Sequence, residues 1–378
     1  MPKDVALYIH IPFCLRKCNY CTFVSYEQRE KDIPMYLRAL EEELVRRAGG
    51  EHIRSIYFGG GTPSLLSAEQ IANILSTIHS LFTVEEAVEI TIEANPGTVN
   101  RAYLTDIRTA GVNRLSLGVQ SLNDGELALL GRIHTASEAR DSVLSARDSG
   151  FDNLSIDLIY GLPGQTIQDW QNTLNEIMEM GPEHLSLYSL SIEAGTPIWR
   201  AIEGEYLPRI DPDLSADQYE LAEDLLTADG YNHYEISNWA SQGRECYHNI
   251  GYWQNLPYMG VGVAAHSFSN GHRMANTQSM DKYLAAFLNN LQTVLESDEE
   301  ISPKLQLAET VILGLRLCDG VCLDDIQSRF GMDLPLYYGK RVEELIDFGL
   351  LECCDRHIKL TRRGRLLSNE VLWRFLPD

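Results

Sequence analysis

The 378-residue chain has no apolar run approaching the roughly 18 residues that a membrane-spanning helix needs. Its first residues, MPKDVALYIHIPFC, lack the uninterrupted apolar stretch of a secretory signal, because His10 and Pro12 break it. Positive charge is scarce: 31 Lys and Arg stand against 54 Asp and Glu, a net charge of −23. A surface of that sign repels phosphate backbones and anionic lipid, so neither nucleic acid nor an intrinsic membrane anchor is expected. Low-complexity stretches are missing, and 44% apolar with 22% charged residues is ordinary globular usage, which excludes collagen-like and disordered classes. The chain is therefore expected to be cytoplasmic. There its eight cysteines are thiols, and a tight group among them points to a metal or to catalysis before disulfides.

What is present is an alternation of strands and helices. Six short runs rich in Val, Ile, Leu, Tyr or Phe lie at 5–10, 53–58, 88–93, 113–119, 153–159 and 184–190. Helix-period segments fall between them at 33–48, 67–81, 100–110, 135–149 and 166–180, with Ser67 and Thr166 placed as N-caps. Such a βα repeat predicts a parallel sheet with right-handed crossovers, an open doubly wound sheet or a full or partial (β/α) barrel, with its functional residues at strand ends. After a helix near 214–229, residues 231–273 turn rich in aromatics, His, Asn and Gly. From 301 onward, helical patterns at 302–317, 322–330 and 336–349 precede a hairpin, LLECCDRHIKLTRRG, and a last helix, a winged-helix outline. Over 301–378 there are 11 Lys and Arg against 12 Asp and Glu, so this unit is expected to pack or dock a partner rather than bind DNA.

The strongest local signal is Cys14-Leu-Arg-Lys-Cys18-Asn-Tyr-Cys21, three thiols within eight residues directly after the first strand. A structural zinc site closes with four ligands, and only His10 is near enough in sequence to add one. An iron–sulfur cubane held by three cysteines leaves one iron open to another ligand. Gly59-Gly60-Gly61-Thr62-Pro63 follows the second strand, where missing side chains let backbone amides approach a ligand. Glu93 ends the third strand, placed to pair with a cation or with ribose hydroxyls or else to help cap the next helix. Gln120 ends the fourth, Arg132 follows twelve residues on, and Asp157 lies near the end of the fifth. Taken singly, Arg132 and Asp157 read as well as members of structural ion pairs. Further on, His248-Asn249-Ile-Gly-Tyr252-Trp253 offers an imidazole nitrogen for a haem iron and flat apolar faces for a porphyrin, or else a satisfied aromatic core. Cys246 and His266 are alternative axial ligands, and Cys318, Cys322, Cys353 and Cys354 are read as mostly buried small apolar residues.

Tyr8-Ile-His-Ile-Pro-Phe-Cys14 with x3-Cys18-x2-Cys21 resembles the signature of the radical S-adenosylmethionine (SAM) superfamily, in its HemN-like branch, that of the oxygen-independent coproporphyrinogen III dehydrogenases. The resemblance implies a partial (β/α)6 radical-SAM barrel at 1–225, a connecting region at 226–300 carrying the HNxxYW motif, and a C-terminal mainly helical, winged-helix-like unit at 301–378. It implies a [4Fe–4S] cluster on Cys14, Cys18 and Cys21, with SAM chelating the open iron and being cleaved to methionine and a 5′-deoxyadenosyl radical on electron transfer. Tyr8, Gly60, Gly61, Thr62, Glu93, Gln120, Arg132 and Asp157 match family positions that contact SAM. Two departures separate the chain from the dehydrogenase: Phe23 stands where that enzyme has a further cysteine, and only thirteen residues precede Cys14. The Cys-x3-Cys-x2-Cys-x-Phe form and the HNxxYW motif instead resemble the haem chaperones of the same branch, which implies haem bound at His248, Asn249, Tyr252 and Trp253. The expected partners are then haem, haem-accepting proteins and an electron donor such as a flavodoxin or ferredoxin. The rival expectation is SAM-dependent oxidative decarboxylation of coproporphyrinogen III to protoporphyrinogen IX.

Overall fold

The computed structural model describes residues 4–288 and 294–377. Six strands, β1 (Asp4–Ile11), β2 (His52–Gly60), β3 (Thr83–Ala94), β4 (Arg114–Gln120), β5 (Leu154–Tyr160) and β6 (His184–Ser189), pair parallel in chain order. Strands covered on both faces need no polar alternation. Accordingly β1 reads DVALYIHI and buries every residue after Asp4 except Tyr8, which is half-exposed. The returning helices Ala68–Leu81, Ala136–Asp148 and Ile167–Glu179 each begin with a reciprocal capping box, Ser67 with Gln70, Thr135 with Glu138 and Thr166 with Asp169. Each such cap contributes about 1 kcal/mol and fixes where the loop ends. An additional short helix, Asp124–Leu130, is capped by Asn123 and stops at Gly131, whose φ of +72° suits glycine. At two turns it is too brief to show a period, yet it sets the position of Arg132.

The sheet continues on both sides. Next to β6 comes the antiparallel hairpin of β7 (Asn232–Glu235) and β8 (Asn238–Ala240). Beside β1 lies β9 (Tyr258–Val261), parallel to it, followed by antiparallel β10 (His266–Ser269), β11 (His272–Asn276) and β12 (Leu295–Glu300). The order is β12-β11-β10-β9-β1-β2-β3-β4-β5-β6-β8-β7, an open sheet of twelve strands and hence a partial barrel. Residues 226–300, read from sequence as a connecting region, thus supply six strands to the same sheet. Among the described residues, no helix is long and apolar enough to cross a membrane.

The C-terminal unit has the winged-helix outline: helices Pro303–Gly314, Leu323–Phe330 and Leu334–Asp347, then antiparallel strands Leu351–Cys354 and His357–Leu360 with Val321–Cys322 on the second. Its own core gathers Leu307, Val311, Leu345, Ile358 and Phe375. Arg362 and Arg365 pair with Glu223 on helix Pro212–Ala228, and Arg316 with Glu235, fastening the unit to the sheet domain. The reading of its cysteines as buried is corrected: Cys353 and Cys354 are exposed, and Cys318 and Cys322 half-buried. Leu351–Cys354 is an edge strand of which only Leu351 is buried.

Candidate functional site

The loop after β1 is pinned at both ends. Phe13–Cys14 pairs with Tyr26–Glu27, and between them the Asn19 amide group donates to the Leu129 carbonyl (2.8 Å) while its backbone N–H donates to Leu130 (2.9 Å). Cys14 is buried, Cys18 and Cys21 are half-buried, and all three are free thiols. The Thr62 hydroxyl donates to Cys14 Sγ (3.6 Å) and Arg132 Nη1 to Cys18 Sγ (3.2 Å). Burial pushes the Cys14 and Cys21 thiols up. Among the described residues, no three His, Cys, Asp or Glu side chains close on a point as a single ion would require. The thiols instead ring a cavity of about 460 Å³ at the C-terminal ends of the strands. A donor set of three cysteines facing one open volume suits a multi-iron cluster, in which each thiolate takes a different iron.

Every residue the sequence singles out for SAM except Tyr8 lines this cavity. Gly60 has a φ of +116°, and a Cβ on Gly61 would stand 2.7 Å from the Phe13 carbonyl oxygen and 3.0 Å from Cys14 Sγ, so only glycines keep the two loops this close. Gly60 N–H donates to Glu93 Oε2 (3.3 Å) and the Tyr57 hydroxyl to Oε1 (2.9 Å). The Glu93 carboxylate is open only to the cavity, and burial pushes it up to about 7. The next helix, Arg101–Thr109, is capped by Asn100, so Glu93 is free of that task.

Gln120 sits at a bulge ending β4 with φ +69°, and its Oε1 is buried with no hydrogen-bond partner among the described residues. An unpartnered buried acceptor facing a cavity is what an absent ligand leaves behind. Arg132 donates Nη2 to the Gly118 carbonyl (2.6 Å), while its Nε has no partner. Asp157 accepts from Ser116 (3.0 Å) and Ser155 (3.4 Å), and burial pushes it up. Among the described residues neither Arg132 nor Asp157 forms an ion pair. Cluster-sized space, a glycine cradle, orphaned polar atoms and paired acidic groups together fit a zwitterionic sulfonium nucleoside beside an iron–sulfur cluster. Tyr188 and Ser189 at the end of β6 also line this cavity and were missed, although the strand-end rule applied to five strands holds for the sixth.

A second cavity, of about 750 Å³, lies on the other side of the cysteine loop. Thr22 and Phe23 line both, so this pair is the partition. Tyr8 belongs to the second cavity: its hydroxyl donates to His10 Nδ1 (3.1 Å), because His10 Nε2–H donates to the Val24 carbonyl (2.9 Å). The walls carry Tyr252, Trp253, Tyr258 and Phe268, with Ile312, Leu313 and Leu376 added by the C-terminal unit.

The structure splits the HNxxYW motif. Its helix, Tyr247–Trp253, starts where Glu89 accepts from the backbone N–H groups of Tyr247 and His248 (both 3.1 Å), an anion on a helix N-terminus. Tyr252 and Trp253 face the cavity, whereas Asn249 lines neither cavity. His248 is 1% exposed; Nδ1 is hydrogen-bonded to Ser55 (2.9 Å), Nε2 to the Tyr252 hydroxyl (2.9 Å), and its ring packs 4.9 Å from that of Tyr57. Burial, with Arg54 and Arg114 nearby, lowers it to about 3. Both nitrogens are thus engaged, Nε2 with a residue of the cavity wall, and His248 itself lines neither cavity. Cys246 is fully buried beside Glu89. His266 lines the cavity and is exposed.

The sequence model of the radical SAM superfamily matches residues 8–177, and that of the HemN C-terminal domain matches 301–367. The chain is 37% identical to the heme chaperone HemW of Lactococcus lactis, over all of this chain and 99% of that protein. It is 34% identical to the heme chaperone HemW of Bacillus subtilis, over 98% of this chain and 99% of that one. Among solved structures it resembles the coproporphyrinogen III oxidase HemN of Escherichia coli, a radical SAM enzyme, with a TM-score of 0.86 at 26% identity over 99% of this chain and 90% of that one.

Proposed function

The chain belongs to the radical SAM superfamily and, within its HemN-like branch, to the family of HemW haem chaperones, and from that premise we propose that it binds haem and hands it to acceptor proteins. The observation that carries the reading is the pair of cavities with a common wall: one of cofactor size ringed by thiols, the other larger, aromatic and apolar, inside the about 300–1,000 Å³ span of ligand pockets. In the first, Cys14, Cys18 and Cys21 would hold a [4Fe–4S] cluster. Gly60, Gly61, Thr62, Glu93, Gln120, Arg132 and Asp157 would seat SAM, with Gln120 gaining the partner its carbonyl oxygen lacks. The cluster, when bound, supplies an electron at the sulfonium. Arg132 donates to Cys18 Sγ and so orients it toward the cavity, and Glu93 positions the Gly60 N–H at the cavity floor.

Haem would lie in the second cavity, on the aromatic faces of Tyr252 and Trp253. His248 and Asn249 then act from behind that wall. A flavodoxin or ferredoxin as electron donor, and the cytoplasm as the place of action, belong to the same proposal. The test is an anaerobic assay of the iron-reconstituted chain, with haemin in one cell and coproporphyrinogen III, SAM and a reductant in the other. Stoichiometric haem uptake without protoporphyrinogen supports the carrier. Product formation without stable haem binding overturns it.

A further inference from the structure

Resting on the haem-carrier reading, we propose that His266, and not the motif histidine His248, is the axial ligand of the haem iron in the 750 Å³ cavity. Three histidine and cysteine groups compete with it, and each is already committed. His248 has Ser55 on one nitrogen and Tyr252 on the other, and its ring is sealed. His10 lines the cavity but donates Nε2–H to the Val24 carbonyl and accepts at Nδ1 from Tyr8. Cys246 is fully buried away from the cavity. His266 opens β10 at the cavity wall, is exposed, and among the described residues its ring makes no hydrogen bond, so an imidazole lone pair is available to an iron.

The position is sterically set. Gly260 on the neighbouring strand lies where a Cβ would come within 2.0 Å of the His266 carbonyl oxygen, so a side chain there would push the His266 backbone away. Around the ligand stand the flat faces a porphyrin needs, Tyr252, Trp253 and Tyr258, and Phe268 two residues along the same strand. Arg273, held by Glu309, adds a cation to the same wall suited to a propionate.

The experiment titrates haemin into the full-length chain, into His266→Ala and His266→Met, and into His248→Ala, following the Soret region and the electron paramagnetic resonance of the ferric state. For His266→Ala the expected result is loss of the imidazole-ligated spectrum, about tenfold weaker haemin retention, and recovery of the spectrum on adding free imidazole. His266→Met should show a changed axial ligand with retention, and His248→Ala, which removes the support behind Tyr252, should retain less haemin but keep the imidazole-ligated spectrum for what it holds. Exposure of His266 makes misfolding of its variants an unneeded explanation, and circular dichroism checks it. Haem uptake by His266→Ala with an unchanged spectrum overturns the ligand assignment alone. No haem uptake by the unaltered chain overturns the carrier reading together with it.

Discussion

The ring of His248 and the hydroxyl of Tyr252 lie 2.9 Å apart across one turn of the same helix. That bond makes the most buried residue of the motif a support for one that faces the cavity. It also accounts for the spacing: on a helix, residues four apart share a face, so His248 can hold only the side chain at 252 in this way. His248→Ala is therefore expected to destabilise the fold by about 2–4 kcal/mol, since it opens a void against Tyr57 and leaves Ser55 and Tyr252 without partners. Denaturant unfolding measures this, and a loss below about 0.5 kcal/mol, the size of an ordinary surface change, would refute the buried role.

The same residue sets an acid limit. His248 is lowered to about 3 from an unfolded value near 6.5, so the neutral fold is favoured above 6.5 and its contribution is lost as pH falls from there toward 3. Thermal melting across that window should drop more steeply for the unaltered chain than for His248→Asn.

Glu93 has the opposite sign. Its folded value of about 7 lies above the ordinary 4.5, so its contribution is complete below 4.5 and is lost as pH rises through 7. In the cofactor-free chain at pH 8, Glu93→Gln should be more stable than the unaltered protein by on the order of 2–3 kcal/mol, with the difference vanishing near pH 4. Equal stability at both pH values would show that the carboxylate is solvated after all.

Cys18→Ala is expected to reduce cluster iron and its visible absorbance to background while haem uptake persists, because the second cavity takes no wall from Cys18. Iron analysis beside a haemin titration reads both. Full cluster iron in this variant would remove Cys18 from the ligand set.

Phe23 is 69% exposed, so its replacement by Ala should shift unfolding by no more than about 0.5 kcal/mol. Haemin retention should fall by about tenfold, as the aromatic partition is lost. Unchanged retention would place the porphyrin away from the cysteine loop.

The barrel was legible because its signals are local. Doubly covered strands read as apolar runs, and Ser67 and Thr166 lie where helices must begin. The cysteine loop and five strand ends followed from spacing and order. What escaped depended on neighbours far along the chain. The four residues Tyr258–Val261 become a strand only because β1 offers an unpaired edge. Which way His248 points is decided by Ser55 and Tyr57, nearly two hundred residues earlier, and an imidazole in an aromatic motif reads alike whether it faces a ligand or a core. The exposure of Cys353 and Cys354 follows from an edge strand, which composition alone does not reveal.

Ile312, Leu313 and Leu376 close the larger cavity from a unit with its own hydrophobic core, joined to the sheet domain in part through arginine–carboxylate pairs such as Arg362 and Arg365 with Glu223. A carrier has to grip its load and also surrender it. One wall is borrowed from a separately cored body that backbone bonds also tie to the sheet domain, Ile236 N–H to the Arg316 carbonyl (3.0 Å) and Cys318 N–H to the Tyr234 carbonyl (3.0 Å), so the larger chamber exists only while the two bodies stay joined, whereas the thiol-ringed one belongs to the sheet domain alone.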